Sequence, residues 1–276
     1  MARWLKRIFL TVLLGVLALL LIAAVVAWRA GRTPDWYAAA VDQTPPDTAA
    51  DEVINRQLVP MQNWLARNSS GDLAARPDAD KVHTLELTDG EINALVAKFN
   101  DHQHGQAEAF RVRLLDNTIE VACTLPDYGR CATVSTYIAR GENDLPTVTL
   151  GPVRLGDQAA PFWLLNRLTA EPLNRARADL DRLQRTGKPP HIDERDAASE
   201  NAVKAAYGRL LLNLLAGRAV APPGLLPTGR EGYKFVATRI TRLDLTPGRL
   251  RATFRMMTPA EREELLAELN GPLPPP

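Results

Sequence analysis

The sequence predicts an α+β fold, in which an antiparallel β-sheet packs on amphipathic helices behind an N-terminal transmembrane helix. Three observations carry this reading: an unbroken apolar run near the N-terminus, four consecutive alternating runs over residues 110–155 matched by a late hairpin, and several apolar stripes at helical spacing. With 46% hydrophobic residues over 276 positions, the chain has enough apolar material for a real core.

The apolar run opens at Ile8 and closes at Ala27, long enough at about 1.5 Å per residue to cross a hydrocarbon layer of roughly 30 Å. Trp4 and Trp28 bracket it at positions suited to the two interfaces. Arg3, Lys6 and Arg7 with the amino terminus outweigh Arg29 and Arg32, which predicts a cytoplasmic N-terminus, an inner-membrane single-pass anchor and an exported, periplasmic body. A cleaved signal peptide ending near Val25-Val26-Ala27 is the alternative, and the run exceeds the roughly 7–15 apolar residues such a peptide needs. Those five cations face no acid before Thr33, leaving 28 Lys and Arg against 32 Asp and Glu in the rest. A mildly acidic body argues against a nucleic-acid partner, since such binding rests on phosphate neutralisation by clustered cations, so none is expected.

Residues 31–50, with Pro34, Pro45 and Pro46 among small and polar residues, read as a tether. Val53, Ile54, Leu58, Met61, Trp64 and Leu65 then recur at helical spacing, with Pro60 as a kink. Asn68-Ser69-Ser70 matches a glycosylation sequon. Val82, Leu85 and Leu87 suggest a short strand, and Thr88-Asp89-Gly90-Glu91 a capping box opening a helix that buries Ile92, Leu95, Val96 and Phe99. Asp101-His102-Gln103-His104-Gly105 ends that helix as a solvated loop. No second His or Cys cluster completes a metal site, so no metal or other cofactor is expected.

The meander follows. Phe110, Val112 and Leu114 alternate with Arg111 and Arg113 up to the turn Asp116-Asn117. Ile119, Val121, Cys123 and Leu125 return on one face, and runs over 131–139 and around Val148, Leu150 and Val153 complete four strands. Cys123 and Cys131 flank one turn in a compartment that allows a disulfide, yet Cys131 falls in phase with Thr133 and Ser135, so strand parity turns the two thiols apart unless a bulge intervenes. A disulfide and two free thiols both stay open. From Pro161 a helix carries Phe162, Trp163, Leu165 and Leu168 and continues past Pro172, and a second helix over 197–216 ends at Gly217. The final strands turn at Pro247-Gly248, with Leu250, Ala252, Phe254 and Met256 opposite Arg249, Arg251 and Arg255. Thr258, Pro259 and Glu261 open a last helix, and the proline-rich end frays.

Catalytic signatures are missing. Ser69, Ser70, Ser135 and Ser199 lie in no nucleophile elbow, and no glycine-rich phosphate loop precedes a helix. A non-enzyme is expected, with an uncharacterised hydrolase as the outlying possibility. The run Leu87-Thr88-Asp89-Gly90-Glu91-Ile92-Asn93-Ala94-Leu95, together with Gly151-Pro152-Val153-Arg154-Leu155-Gly156 and Pro161 opening a helix, resembles the YpmS-like proteins and, more distantly, bacterial membrane-anchored proteins with a tubular lipid-binding (TULIP-like) sheet. The resemblance covers about 84–168. It implies a curved sheet wrapped around a long helix, an apolar groove for acyl chains and a lipid-handling role in the bacterial cell envelope. Asp157 to Ala160 and the long stretch between Leu168 and Tyr233 depart from that pattern.

The division expected is a stub and anchor over 1–30, a tether over 31–50, an extracytoplasmic domain over 51–270 with a helical insert at 169–232, and a disordered tail over 271–276. The meander and the last hairpin are expected to share one sheet, whose oily side offers Phe110, Val112, Leu114, Ile119, Val121, Val148, Leu150, Leu250 and Phe254 to a lipid, with Phe162 and Leu165 on the helical lid. The competing expectation is a non-catalytic structural or interaction module of an envelope complex, with a solid core and protein partners.

Overall fold

The computed structural model describes residues 31–43, 45–68, 81–100, 108–141, 144–185, 189–193, 197–228 and 234–272. The expected membrane segment at 8–27, the loop with His102 and His104, Ser69 and Ser70 of the sequon, and the last four residues lie outside the described residues. Among those described, no helix is long and apolar enough to cross a membrane.

The chain is α+β, with curved antiparallel sheets, and the single sheet expected from the sequence is in fact two. The first is a meander of β2 (Glu108–Leu115), β3 (Thr118–Leu125), β4 (Arg130–Arg140), β5 (Pro146–Leu155) and the two-residue β6 (Gln158–Ala159), each strand pairing with the next. The second places β1 (Val82–Thr88) beside β10 (Arg249–Met256), then β9 (Lys234–Thr246), to which β7 (Ala197–Ala198) and β8 (Leu225–Thr228) add. Short connections make each hairpin a local choice, while the outer strand β2 bonds to Asn93 and Gly248, and β5 to Val220, instead of to a strand of the other set.

Helices surround them. Within the stretch expected as a tether, Asp35–Asp42 forms α1, with Tyr37 only 3% exposed, and Asp47–Val53 forms α2. The helix runs on through a π-helical segment, Ile54–Leu58, into α3 (Val59–Asn68). Pro60 explains the π turn: it has no N–H for the carbonyl of Arg56, and the ladder widens so that Val59 N–H donates to Ile54 instead. The sequon residue Asn68 is buried at the end of α3, its amide donating to the Trp64 carbonyl at 2.8 Å. The capping box at Thr88 opens α4 (Asp89–Asn100), with Thr88 N–H on Glu91 at 2.7 Å and Glu91 N–H on Thr88 Oγ1 at 3.2 Å. Next come α5 (Phe162–Arg185), continuous through Pro172, α6 (Glu200–Leu215) and α7 (Pro259–Asn270). The span expected as a helical insert thus also supplies β7 and β8 to the second sheet.

Alternation holds along most of each sheet, with register shifts in the β9–β10, β2–β3 and β4–β5 ladders. On the second sheet, Ala252, Phe254 and Met256 share one face and pack under Met61, Trp64 and Leu65 of α3. Leu245 of β9 and Leu250 of β10 sit further along the same face, where they meet Leu114 and Ile138 of the meander and Ile92 of α4. This seam is the joint between the sheets. A third cluster, around Ala202, Ala205, Leu212, Leu225 and Ala237, packs α6 and α7 against β8 and β9, with Leu173, Ala176 and Leu183 of α5 against it.

Candidate functional site

The meander's apolar face is built row by row. Cross-strand partners Val112, Val121, Val134 and Val153 form a line of four valines over four strands, and Leu114, Ile119, Thr136 and Leu150 form the next. Leu150 and Val153, three residues apart, could not share a face in a regular strand. A bulge at Gly151-Pro152 permits it: Pro152 has no N–H to leave unpaired, and at Gly151 a Cβ would stand 2.6 Å from the Tyr137 ring. The motif Gly151-Pro152-Val153 is therefore a device that turns Leu150 and Val153 to the same side.

Both ends of this face are packed. At one, Leu114, Ile119, Ile138 and Val148 close onto the second sheet, and at the other Leu125, Ala132, Leu155 and Ala160 form a separate cluster with Cys123 and Tyr128. Between them, Val121, Val134 and Leu150 are half-buried and belong to neither cluster among the described residues, as does Phe110 of β2.

The reverse face is closed by α1. Tyr37 donates its hydroxyl proton to the Ala109 carbonyl at 2.9 Å and lies 2.8 Å from Thr124 Oγ1, while its ring covers Ala122 and Cys131. Arg111, which alternation alone would send to solvent, is 6% exposed and donates from Nε to the Ala40 carbonyl at 2.9 Å. The Arg113 guanidinium lies 4.7 Å from the Trp36 ring centre and pairs with Glu120.

Each margin of the meander is also occupied. On β2, Asn93 of α4 acts as a substitute strand, donating to the Val112 carbonyl at 2.8 Å and accepting from its N–H at 2.6 Å. Gly248, at the tip of the β9–β10 hairpin, donates to the Leu114 carbonyl at 3.0 Å. On β5, Val148 and Val220 exchange both backbone hydrogen bonds.

Of the residues expected to line a groove, Phe110, Val121 and Leu150 are half-buried and belong to neither cluster among the described residues, and Val112 packs at the margin of the seam. Leu114, Ile119, Val148 and Leu250 are drawn into the seam, and Phe254 is sealed beneath Trp64, so these five are not free to line one continuous cleft. The reason is the division into two sheets, which sets hairpin and meander face to face instead of edge to edge. Phe162 and Leu165 lie in the first turns of α5, where only the backbone is described.

Cys123 and Cys131 are free. Register pairs Cys131 with Thr124 and Cys123 with Ala132, so the two side chains point to opposite faces and no disulfide forms. Burial pushes the Cys123 thiol up to about 11, with Cys131 nearby adding to the shift. Among the described residues, no three His, Cys, Asp or Glu side chains converge in a way that could hold a metal.

A feature that sequence reading missed lies on the outer side of the seam. A cleft of about 740 Å³ opens between the outer edge of β9 and the β4–β5 end of the meander, and Arg140, Arg242, Arg249 and Arg251 reach it beside Glu86, Asp144 and Asp244. Its walls come from β1, β4, β9 and β10, and only the alternating arginines of the last hairpin hinted at it. No protein-family model, curated protein or solved structure matches this chain.

Proposed function

We propose that this is a non-catalytic, membrane-anchored protein of the bacterial envelope that binds or shuttles a lipid or other amphiphile on the extracytoplasmic side. The observation that carries the reading is the strip of Val121, Val134 and Leu150, an apolar surface left half-buried between two packed clusters. Each acyl CH₂ fully buried there would gain about 0.8 kcal/mol, so an acyl chain lying along the strip is stabilised in proportion to the surface it loses to water. The YpmS-like and TULIP-like resemblance supports the same reading, with the run from Ile8 to Ala27 as anchor and the body in the periplasm. No covalent step or cofactor is part of it.

The experiment is lipid mass spectrometry on the full chain purified from membranes, alongside Val134→Asp. Co-purified lipid in the wild type and its loss in the variant, at an unchanged unfolding temperature, is the expected result. Absence of lipid in the wild type, or equal retention by both proteins, overturns the proposal. The second reading is a structural or interaction module with protein partners in an envelope complex. It draws on the sealing of Leu114 and Leu250 into the seam, and a wild-type protein free of lipid would favour it.

A further inference from the structure

We infer that the arginine-bearing cleft beside the seam is a subsite for an anionic headgroup, taking a phosphate or similar oxyanion whose apolar tail runs inward over Ile138, Leu243 and Leu245. The inference rests on the amphiphile reading above and specifies the charge of its ligand.

Charge and shape both point this way. Within the cleft, Asp244 holds Arg242 at 2.6 Å and Glu86 holds Arg251 at 3.2 Å. Among the described residues Arg140 has only Asp144 at 3.8 Å, and those two side chains are 71% and 89% exposed, so that ion pair commits the guanidinium weakly. Arg249 has no carboxylate partner among the described residues. Among the described residues four guanidinium groups therefore face three carboxylates, in a chain whose exported part is acidic in total, so the positive charge gathered here runs against the general composition. Guanidinium groups match the fork geometry of phosphate oxygens better than any other side chain.

The floor is the second observation. Ile138 and Leu245 are buried, Leu243 is half-buried, and all three belong to the seam cluster that also holds Ile119 and Val148 of the meander's apolar face. A ligand with its charge among the arginines thus has apolar contact directly beneath it, an arrangement that a free phosphate would not use.

The test employs the full chain in phosphatidylcholine nanodiscs and three probes: dioctanoyl phosphatidic acid, dioctanoylglycerol with the same tails and no charge, and inorganic phosphate. Wild type is compared with the Arg140→Glu, Arg249→Glu double variant and with Arg218→Glu, an exposed control outside the cleft. Both cleft positions are exposed, so the double variant folds, and an unchanged unfolding temperature verifies it. The expected result is a loss of phosphatidic acid affinity of roughly tenfold or more in the double variant alone, with dioctanoylglycerol binding unchanged. Equal phosphatidic acid affinity in all three proteins overturns the subsite and leaves the amphiphile reading standing. Binding of inorganic phosphate as tight as phosphatidic acid, lost in the double variant, while dioctanoylglycerol does not bind, overturns the tail and the amphiphile reading together. Failure of all three probes overturns both.

Discussion

Asn93 does for β2 what a neighbouring strand would do, offering one donor and one acceptor to Val112 in a half-buried setting. Asn93→Ala leaves both peptide groups unpaired and should cost about 1–3 kcal/mol in chemical denaturation. Asn93→Asp, which removes only the donor, should recover part of that. Glu261 offers a second residue-level test. It accepts from both Arg255 terminal nitrogens at 2.7 Å, and this pairing chiefly holds its carboxyl at about 2, below the ordinary 4.5. A depressed folded-state pKa means that the unfolded chain takes up the proton more readily. The contribution is therefore complete above about pH 4.5 and fades as pH falls towards about 2. Glu261→Gln keeps the capping box and removes the titration. The stability gap between wild type and this variant should hold steady from about pH 7 to about pH 5 and narrow below that, by denaturant titration at each pH. For the two cysteines, thiol titration should find both reduced under non-reducing conditions and Cys123 slow to react near neutral pH, because its thiolate is scarce. Their parity was readable from the sequence: alternation alone turned Cys123 and Cys131 apart. The burial of Arg111 was not, since the period-two rule says which face a residue takes and not what covers it.

At the scale of elements, the parts set by near neighbours were the legible ones. The four meander strands, the last hairpin and the capping boxes at Thr88 and Thr258 all follow from residues within a few positions of one another. The helix α1 was missed because three prolines dominated the reading of 31–50. The signal lay in Trp36 and Ala40, and Tyr37 and Val41, each four residues apart and thus on one helical face. Neither the π turn before Pro60 nor the bulge at Gly151-Pro152 was foreseen in form, although Pro60 marked the place of the first as a kink. Gly224 gives a sharp test of the β8–β9 pairing. Its φ is +64°, its carbonyl accepts from both the N–H and the hydroxyl of Thr238, and an added Cβ would lie 1.9 Å from the Thr238 oxygen. Gly224→Ala should therefore cost well over the ~1 kcal/mol of a simple conformational penalty, read as a large fall in unfolding temperature or loss of soluble protein.

For the molecule as a whole, the seam decides how its two sheets behave. Leu114 is 1% exposed and touches both. Leu114→Ala should cost about 2–5 kcal/mol and loosen amide protection in β2 and β9 together, as measured by hydrogen exchange. Protection lost in the meander alone would mean that the sheets fold as separate units. The sequence could not show this joint. Large aliphatic residues on an alternating strand look the same whether a helix, another sheet or a ligand lies across from them, and the choice among these is made by segments a hundred residues away. The same ambiguity hid the cleft, whose arginines stand on different strands and converge only once the sheets have met.

One consequence is mechanical. Because α1 is bolted to the back of the meander by Tyr37 on Ala109 and Arg111 on Ala40, the body does not hang from a slack cord. A pull applied at Arg32 would be borne by these two bonds and by the Arg32–Asp157 ion pair at 3.8 Å, all of them on the meander, so the meander takes the load as one body.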